Sequence, residues 1–217
     1  MNIKHKKFYG RRKGKQLTPN QERLVADVLP SVVLKLPLQF ENKFKEVHLD
    51  IGFGTGTNLN YKIQKNPDIF FIGAEPFING TAQFLSLLPE ELRAHIQIYN
   101  DDITEIWNEF EDATFDKVYL LYPDPWPKAR HEKRRFVSVN NLLSVHRLLK
   151  SGGTIDIVSD IAHYIELLME NLKGLSDKFE IIYFSKTPFA DWHTTKYEQK
   201  ALAEGRIPQY VILRKKQ

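Results

Sequence analysis

Cysteine is absent from this chain of 217 residues, which excludes structural disulfides and thiolate zinc sites and gives no sign of an oxidising compartment. Histidine is present, but His131-Glu132 lacks the second histidine of a zinc-protease helix, Arg135 standing in its place, so no metal is expected. Nor does any apolar run approach the roughly 20 residues of a membrane span. The opening MNIKHKKFYGRRKGK is basic, without the apolar segment that follows in a signal peptide. A cytoplasmic protein with no membrane partner is the resulting expectation.

Charge is plentiful and unevenly placed. The net charge of +4 comes from 31 Lys/Arg against 27 Asp/Glu. Residues 1–15 hold seven Lys/Arg and no acid, residues 128–135 five against one Glu, and residues 214–217 three and no acid. What remains is an acidic body of 16 basic and 26 acidic residues. Such clusters suit a polyanion such as nucleic acid, because each neutralised phosphate releases counterions. One basic run alone fits a solvated tail equally well.

With 42% hydrophobic residues, the chain can build the core of one domain of ordinary size. Thr18-Pro19 opens a short helix that ends near Pro30. From residue 45 the rhythm changes: KEVHLDIGFG, DIFFIGAEP, HIQIYNDD, FDKVYLLYP, GGTIDIVSD, FEIIYFS and a final YVILRK are short β-rich runs. Helices are expected over 57–65, 77–88, 133–150 and 161–173, the third closed by Ser151-Gly152-Gly153. This alternation gives an α/β fold with a mostly parallel sheet covered on both faces. Residues 1–44 read as a basic arm and short helix, and 45–217 as the catalytic domain.

In such sheets ligands sit outside the carboxyl ends of the strands, near the point where strand order reverses. The first of these ends is Asp50-Ile51-Gly52-Phe53-Gly54-Thr55-Gly56, whose alternate glycines allow a tight turn and close approach to a ligand. It is neither the dinucleotide GxGxxG nor a P-loop. Glu75, 25 residues after Asp50, is placed to accept both hydroxyls of an adenosine ribose. At Asn100-Asp101-Asp102 one acid can cap the next helix while the other accepts from an adenine amino group, a role that suits Asp102 slightly better. Acids around a glycine turn suit ribose hydroxyls, an amino group and positive charge, and suit a pyrophosphate poorly. S-adenosylmethionine has those features, which puts a methyltransferase ahead of a dehydrogenase.

The fourth strand end is YPDPWPKARHEKRR, residues 122–135. Pro123, Pro125 and Pro127 remove ladder donors and restrict the residues before them, so Tyr122, Asp124 and Trp126 are expected on a stiff, nearly extended path. Trp126 can serve as a stacking platform for a base or pack beneath the loop. Lys128, Arg130, Lys133, Arg134 and Arg135 are candidate phosphate ligands, as is the N-terminal arm.

The run Pro123 to Arg135 resembles the signature of bacterial tRNA (guanine-N7)-methyltransferases, and Thr195-Lys196-Tyr197-Glu198 is similar to that family's late Thr-x-Tyr-Glu motif. The resemblance covers the chain from about residue 45 onward. It implies a Rossmann-like, S-adenosylmethionine-dependent fold with a seven-stranded sheet, and methylation of guanine 46 in the variable loop of tRNA. It further implies that Asp50, Glu75, Asp102 and Asp124 hold S-adenosylmethionine, with Gly52, Gly54 and Gly56 shaping its loop. Asp124 would be the catalytic residue, and Lys128, Asp160 and Thr195 to Glu198 would contact tRNA. Asp50 departs from the Glu common in the family, and its shorter arm needs a water to reach the methionyl ammonium. Thr195 and Glu198 also have the spacing of a capping box. A monomer and a homodimer are both compatible with the chain, and two other readings compete: methylation of an exocyclic base amine, and a noncatalytic RNA-binding module.

Overall fold

A computed structural model describes residues 10–217. The seven expected runs form strands β1 (Glu46–Ile51), β2 (Ile69–Ala74), β3 (Ile96–Tyr99), β4 (Phe115–Leu121), β5 (Leu149–Ser159), β6 (Phe179–Ser185) and β7 (Gln209–Lys215). They make one sheet in the order β3-β2-β1-β4-β5-β7-β6, parallel except for β7, which runs antiparallel to both neighbours. Strand order therefore reverses between β1 and β4. Side chains alternate between the faces: Phe70 and Ile72 join one buried cluster with Leu49, Leu142 and Leu168, while Phe71 joins another with Leu59, Phe84 and Leu24.

Helix α1 (Pro19–Asp27) starts at a capping box in which Thr18 and Gln21 satisfy each other's backbone groups. Pro30 does not end the helical segment; it lies in the first turn of a second short helix, α2 (Leu29–Val32), where its missing N–H costs nothing. Leu24, Val28 and Val32 are buried against the sheet, so this segment contributes to the same core as the strands. Helices α3 (Thr57–Lys65), α4 (Ile78–Leu87) and α6 (Ala162–Lys173) occupy their expected places.

The helix expected over 133–150 is instead two elements, a 3-10 turn at Ala129–Arg134 and α5 (Val139–Leu148). Arg135 and Val137 are buried between them, and Ser138 accepts from the Asn141 N–H to begin the second. Nor do Gly152 and Gly153 cap a helix. They lie within β5, where the pairing with β4 shifts register; Gly152 has φ +75°, and a Cβ on Gly153 would lie 2.9 Å from the Lys150 carbonyl oxygen.

Among the described residues, the C-terminal basic run lies apart from the one at 128–135. Because β7 is antiparallel, its beginning lies beside the carboxyl end of β5, with Gln209 opposite Ser159, and its end lies at the other edge of the sheet. There Arg214 pairs with Glu180 at 3.6 Å, while Lys215 and Lys216 donate to the Leu149 and Ser176 carbonyls.

Candidate active site

A cavity of about 540 Å³ opens at the carboxyl ends of β1 and β4, where strand order reverses. Gly52, Gly54, Glu75, Asp101, Asp102, Asp124, Trp126 and Tyr197 all line it, so residues scattered over the sequence converge on one place. A smaller space of about 40 Å³ shares Gly52, Tyr122 and Tyr197 with it and adds Asp50, Thr55 and Lys196.

The glycine turn is left-handed at all three positions, with φ of +71°, +59° and +70° at Gly52, Gly54 and Gly56. At Gly56 a side chain is excluded twice, since a Cβ would also come within 2.3 Å of the Phe84 ring. Glu75 ties the turn to β2: its carboxylate accepts from the Gly54 N–H at 2.7 Å and from the Phe77 N–H at 2.8 Å. Its burial pushes its pKa up despite those two hydrogen bonds, which pull the other way. Asn100, given no role from sequence, secures the same corner by donating to the Glu75 carbonyl at 2.6 Å.

Asp50 is buried, and its Oδ2 lies 3.1 Å from the ammonium of Lys62, a partner that sequence reasoning missed. Between the adjacent acids, the capping role falls to Asp102, whose Oδ1 accepts from the Thr104 N–H at 3.0 Å. Asp102 still lines the cavity. Asp101 instead pairs with Arg12. That arginine, expected among the phosphate ligands of the arm, is held inward: its carbonyl accepts from the Ile78 N–H, and Gly14 and Lys15 are bonded to Asn79. Gly10 and Arg11 thereby line the cavity as well. The arm's first nine residues lie outside the described part.

The proline-rich loop is stiff but not extended. Tyr122 has φ +53° and Trp126 φ +42°, both left-handed, because a following proline disfavours the right-handed helical region without excluding this one. Such conformations in non-glycine residues cost about 1–3 kcal/mol each and persist only when neighbours hold them. Tyr122 is held by its N–H on the Val158 carbonyl at 2.8 Å and by stacking on Tyr197, with ring centroids 6.3 Å apart. Trp126 is held by Arg135, whose Nε donates to its carbonyl at 3.1 Å. Arg135 is only 4% exposed, so it anchors the loop and does not reach phosphate.

Asp124 sits between these two residues, exposed at the rim of the cavity, with enough protein around its carboxyl to raise its pKa by desolvation. Trp126 is half-buried beside it, outside the apolar core, and the Arg134 guanidinium lies 4.9 Å from its ring centroid. Lys128, Arg130 and Lys133 face solvent, and Lys133 and Arg134 line the cavity mouth.

Thr195 and Glu198 form the expected capping box at the start of α7 (Lys196–Ala203). Glu198, 3% exposed, also accepts from Trp192 Nε1 at 2.7 Å and from the Tyr210 hydroxyl. With Thr195 buried as well, only Lys196 and Tyr197 of this motif present themselves outward, and Tyr197 is 57% exposed over Gly54. Asp160 is paired with Arg206 at 2.6 Å and does not line the cavity. Among the described residues no group of histidines and carboxylates is arranged to hold a metal, and no helix is long and apolar enough to cross a membrane.

Solved structures share this architecture. "Structure of an antibiotic related Methyltransferase" superposes with a TM-score of 0.57 at 16% identity, covering 92% of this chain and 96% of the other. A 16S rRNA (adenine(1408)-N(1))-methyltransferase variant from Catenulisporales acidiphilia, solved with its cosubstrate SAM, gives 0.56 at 12% identity over 81% and 88%. Sequence relatives are nearer. A tRNA (guanine-N(7)-)-methyltransferase of Jannaschia sp. (strain CCS1) is 37% identical over 99% of this chain and 97% of its own, and one of Bartonella henselae is 40% identical over 97% and 96%. Residues 45–208 match the family described as "Putative methyltransferase". Full-length identity at this level, together with the sheet order and the acid-lined glycine turn, means that the chain belongs to the tRNA (guanine-N7)-methyltransferase family.

Proposed function

We propose that the protein transfers the methyl group of S-adenosylmethionine to N7 of guanine 46 in the variable loop of tRNA. The observation that carries this reading is the meeting, in one cavity, of the acid-lined glycine turn with Asp124, Trp126 and the cationic Lys133 and Arg134. About 540 Å³ is ample for a nucleoside-sized ligand, and the donor set fits this one: carboxylates for hydroxyls, an amino group and positive charge.

When bound, S-adenosylmethionine supplies an electrophilic methyl group on a sulfonium. Glu75 would take the ribose hydroxyls on the lone pairs its two backbone N–H bonds leave free. Asp102 would serve the adenine end, Asp50 the methionyl ammonium, and Gly52, Gly54 and Gly56 the wall between them. Because guanine N7 carries a lone pair and no proton, Asp124 has no proton to remove there. Its work is to orient the base and to stabilise the positive charge that the purine ring gains as the methyl arrives. Tyr197 and Trp126 would clasp the base, and Lys128 and Lys196, both exposed, would meet the RNA backbone. Asp160, Thr195 and Glu198 would support substrate binding from behind, since their polar groups are already engaged within the protein.

Unmodified tRNA incubated with the protein and isotopically labelled S-adenosylmethionine is expected to yield labelled 7-methylguanosine at position 46, and a tRNA with adenine at that position none. Label in an exocyclic amino group, or at another guanine, would overturn the assignment.

A further inference from the structure

Lys62 occupies an unusual place. Asp50, Tyr119 and Asp156 stand opposite one another on three adjacent strands, a row of carboxylate, phenol and carboxylate on one face of the sheet. Neighbouring strands lie about 4.8 Å apart, so the middle ring is near enough to either acid for one cation to serve both. The ammonium of Lys62 lies at the Asp50 end of this row: it sits 3.3 Å from the Tyr119 ring centroid and 3.1 Å from Asp50 Oδ2.

The far end of the row has an ammonium of its own, from Lys117, but hydrogen-bond positions left unfilled. Asp156 is fully buried, and although Lys117 Nζ lies 3.0 Å away, neither carboxylate oxygen has a well-formed hydrogen bond among the described residues. Asp50, by contrast, borders the small space that continues the main cavity. An ammonium group arriving there meets a carboxylate whose charge Lys62 has already neutralised. A half-buried ammonium is costly to leave unpaired, and the row offers Lys62 a second carboxylate at its far end.

We propose that Lys62 is a positioning residue that shares its ammonium between Asp50 and Asp156, and that its displacement toward Asp156 frees Asp50 to grip the α-ammonium of the cofactor. This rests on the reading of Asp50 given above. The Tyr119 ring lies beneath the path and attracts the cation throughout, so Lys62 is never without a partner as it turns. Specificity for a ligand bearing an amino-acid tail thus depends on Asp156, which does not border either cavity.

Calorimetry with two ligands isolates the effect: S-adenosylhomocysteine carries the ammonium, and 5′-methylthioadenosine has the same adenosine without it. Asp156→Asn, which leaves Lys62 fixed on Asp50, is expected to weaken S-adenosylhomocysteine about tenfold and leave methylthioadenosine unchanged. In a Lys62→Met background the same Asp156→Asn change should have no effect on either ligand. Lys62→Gln replaces Met for this purpose if thermal melting shows the Met variant unfolded. The proposal fails if Asp156→Asn leaves S-adenosylhomocysteine binding intact, weakens both ligands alike, or acts equally without Lys62. Asp50→Asn tests the underlying assignment separately: selective loss of S-adenosylhomocysteine supports it even if Asp156 proves silent, and no loss removes Asp50 from the cofactor site.

Discussion

The inner wall of the crevice and its outer rim treat charge in opposite ways. On the wall, Glu75 and Asp50 are buried acids, each already bonded to the protein: one to two backbone N–H groups, the other to Lys62. At the rim, Lys128, Arg130 and Lys133 are cations that face solvent. The wall's acids are held by the protein itself, at the cost of burying charge, whereas the rim offers long side chains exposed to solvent. A small ligand of fixed shape suits the first arrangement, and a flexible polyanion read through its phosphates suits the second. Asp124 belongs to neither, standing between them on a loop that the wall holds and the rim extends.

Replacing that junction should have the largest effect. Asp124→Ala is expected to lower turnover about a hundred- to a thousandfold with the thermal midpoint unchanged, as an exposed side chain off the core allows. Activity retained in that variant would make the loop a scaffold alone. On the wall, Glu75→Ala strands two backbone N–H groups at about 1–3 kcal/mol each, so S-adenosylhomocysteine binding and melting temperature should fall together. Loss of one without the other would separate the ligand contact from the turn it braces. At the rim, Lys128→Ala with Lys133→Ala should weaken tRNA binding and reduce the slope of log affinity against log salt by about 0.7–0.9 per lost phosphate contact, with folding intact. An unchanged slope would make those lysines bystanders.

Acid offers a finer distinction. Desolvation raises the pKa of both Glu75 and Asp124, and the proposed mechanism needs both as carboxylates, so activity should disappear on acidification at a pH above the ordinary carboxylate range. The linkage sign is opposite for stability. A raised folded-state pKa means that protonation favours the native state, so these two groups add stability at low pH and lose that contribution as pH rises through the folded pKa. Activity measured beside near-ultraviolet circular dichroism is therefore expected to fall while the fold persists. A simultaneous loss would point to other groups.

Much of this arrangement was legible in the chain because strands of this fold are short apolar runs stopped by Gly, Pro or acid, and the stopping residues line the crevice. Asp50, Gly52, Glu75 and Asp124 could be found by asking what terminates each strand. The path of the proline-rich loop could not, since proline restricts its predecessor without choosing between extended and left-handed backbone. Arg135 was indistinguishable from its neighbours in a basic run until its burial against the Trp126 carbonyl was seen. Lys62 was hidden for a related reason: a lysine on a short helix reads as solvated, and only the register of three strands reveals acids on both sides of the Tyr119 ring against which it lies. The capping box at Thr195 was visible, but not that its glutamate would gather Trp192 and Tyr210 from elsewhere in the fold.

The antiparallel course of β7 has a practical side. It brings Tyr210 to the crevice level and carries Lys215 to the opposite edge of the sheet, where Lys216 is bonded to the Ser176 carbonyl. A fluorophore, affinity handle or surface tether attached there projects away from the mouth at which cofactor and RNA would meet. The protein can thus be immobilised by that edge with its working face turned to the solution.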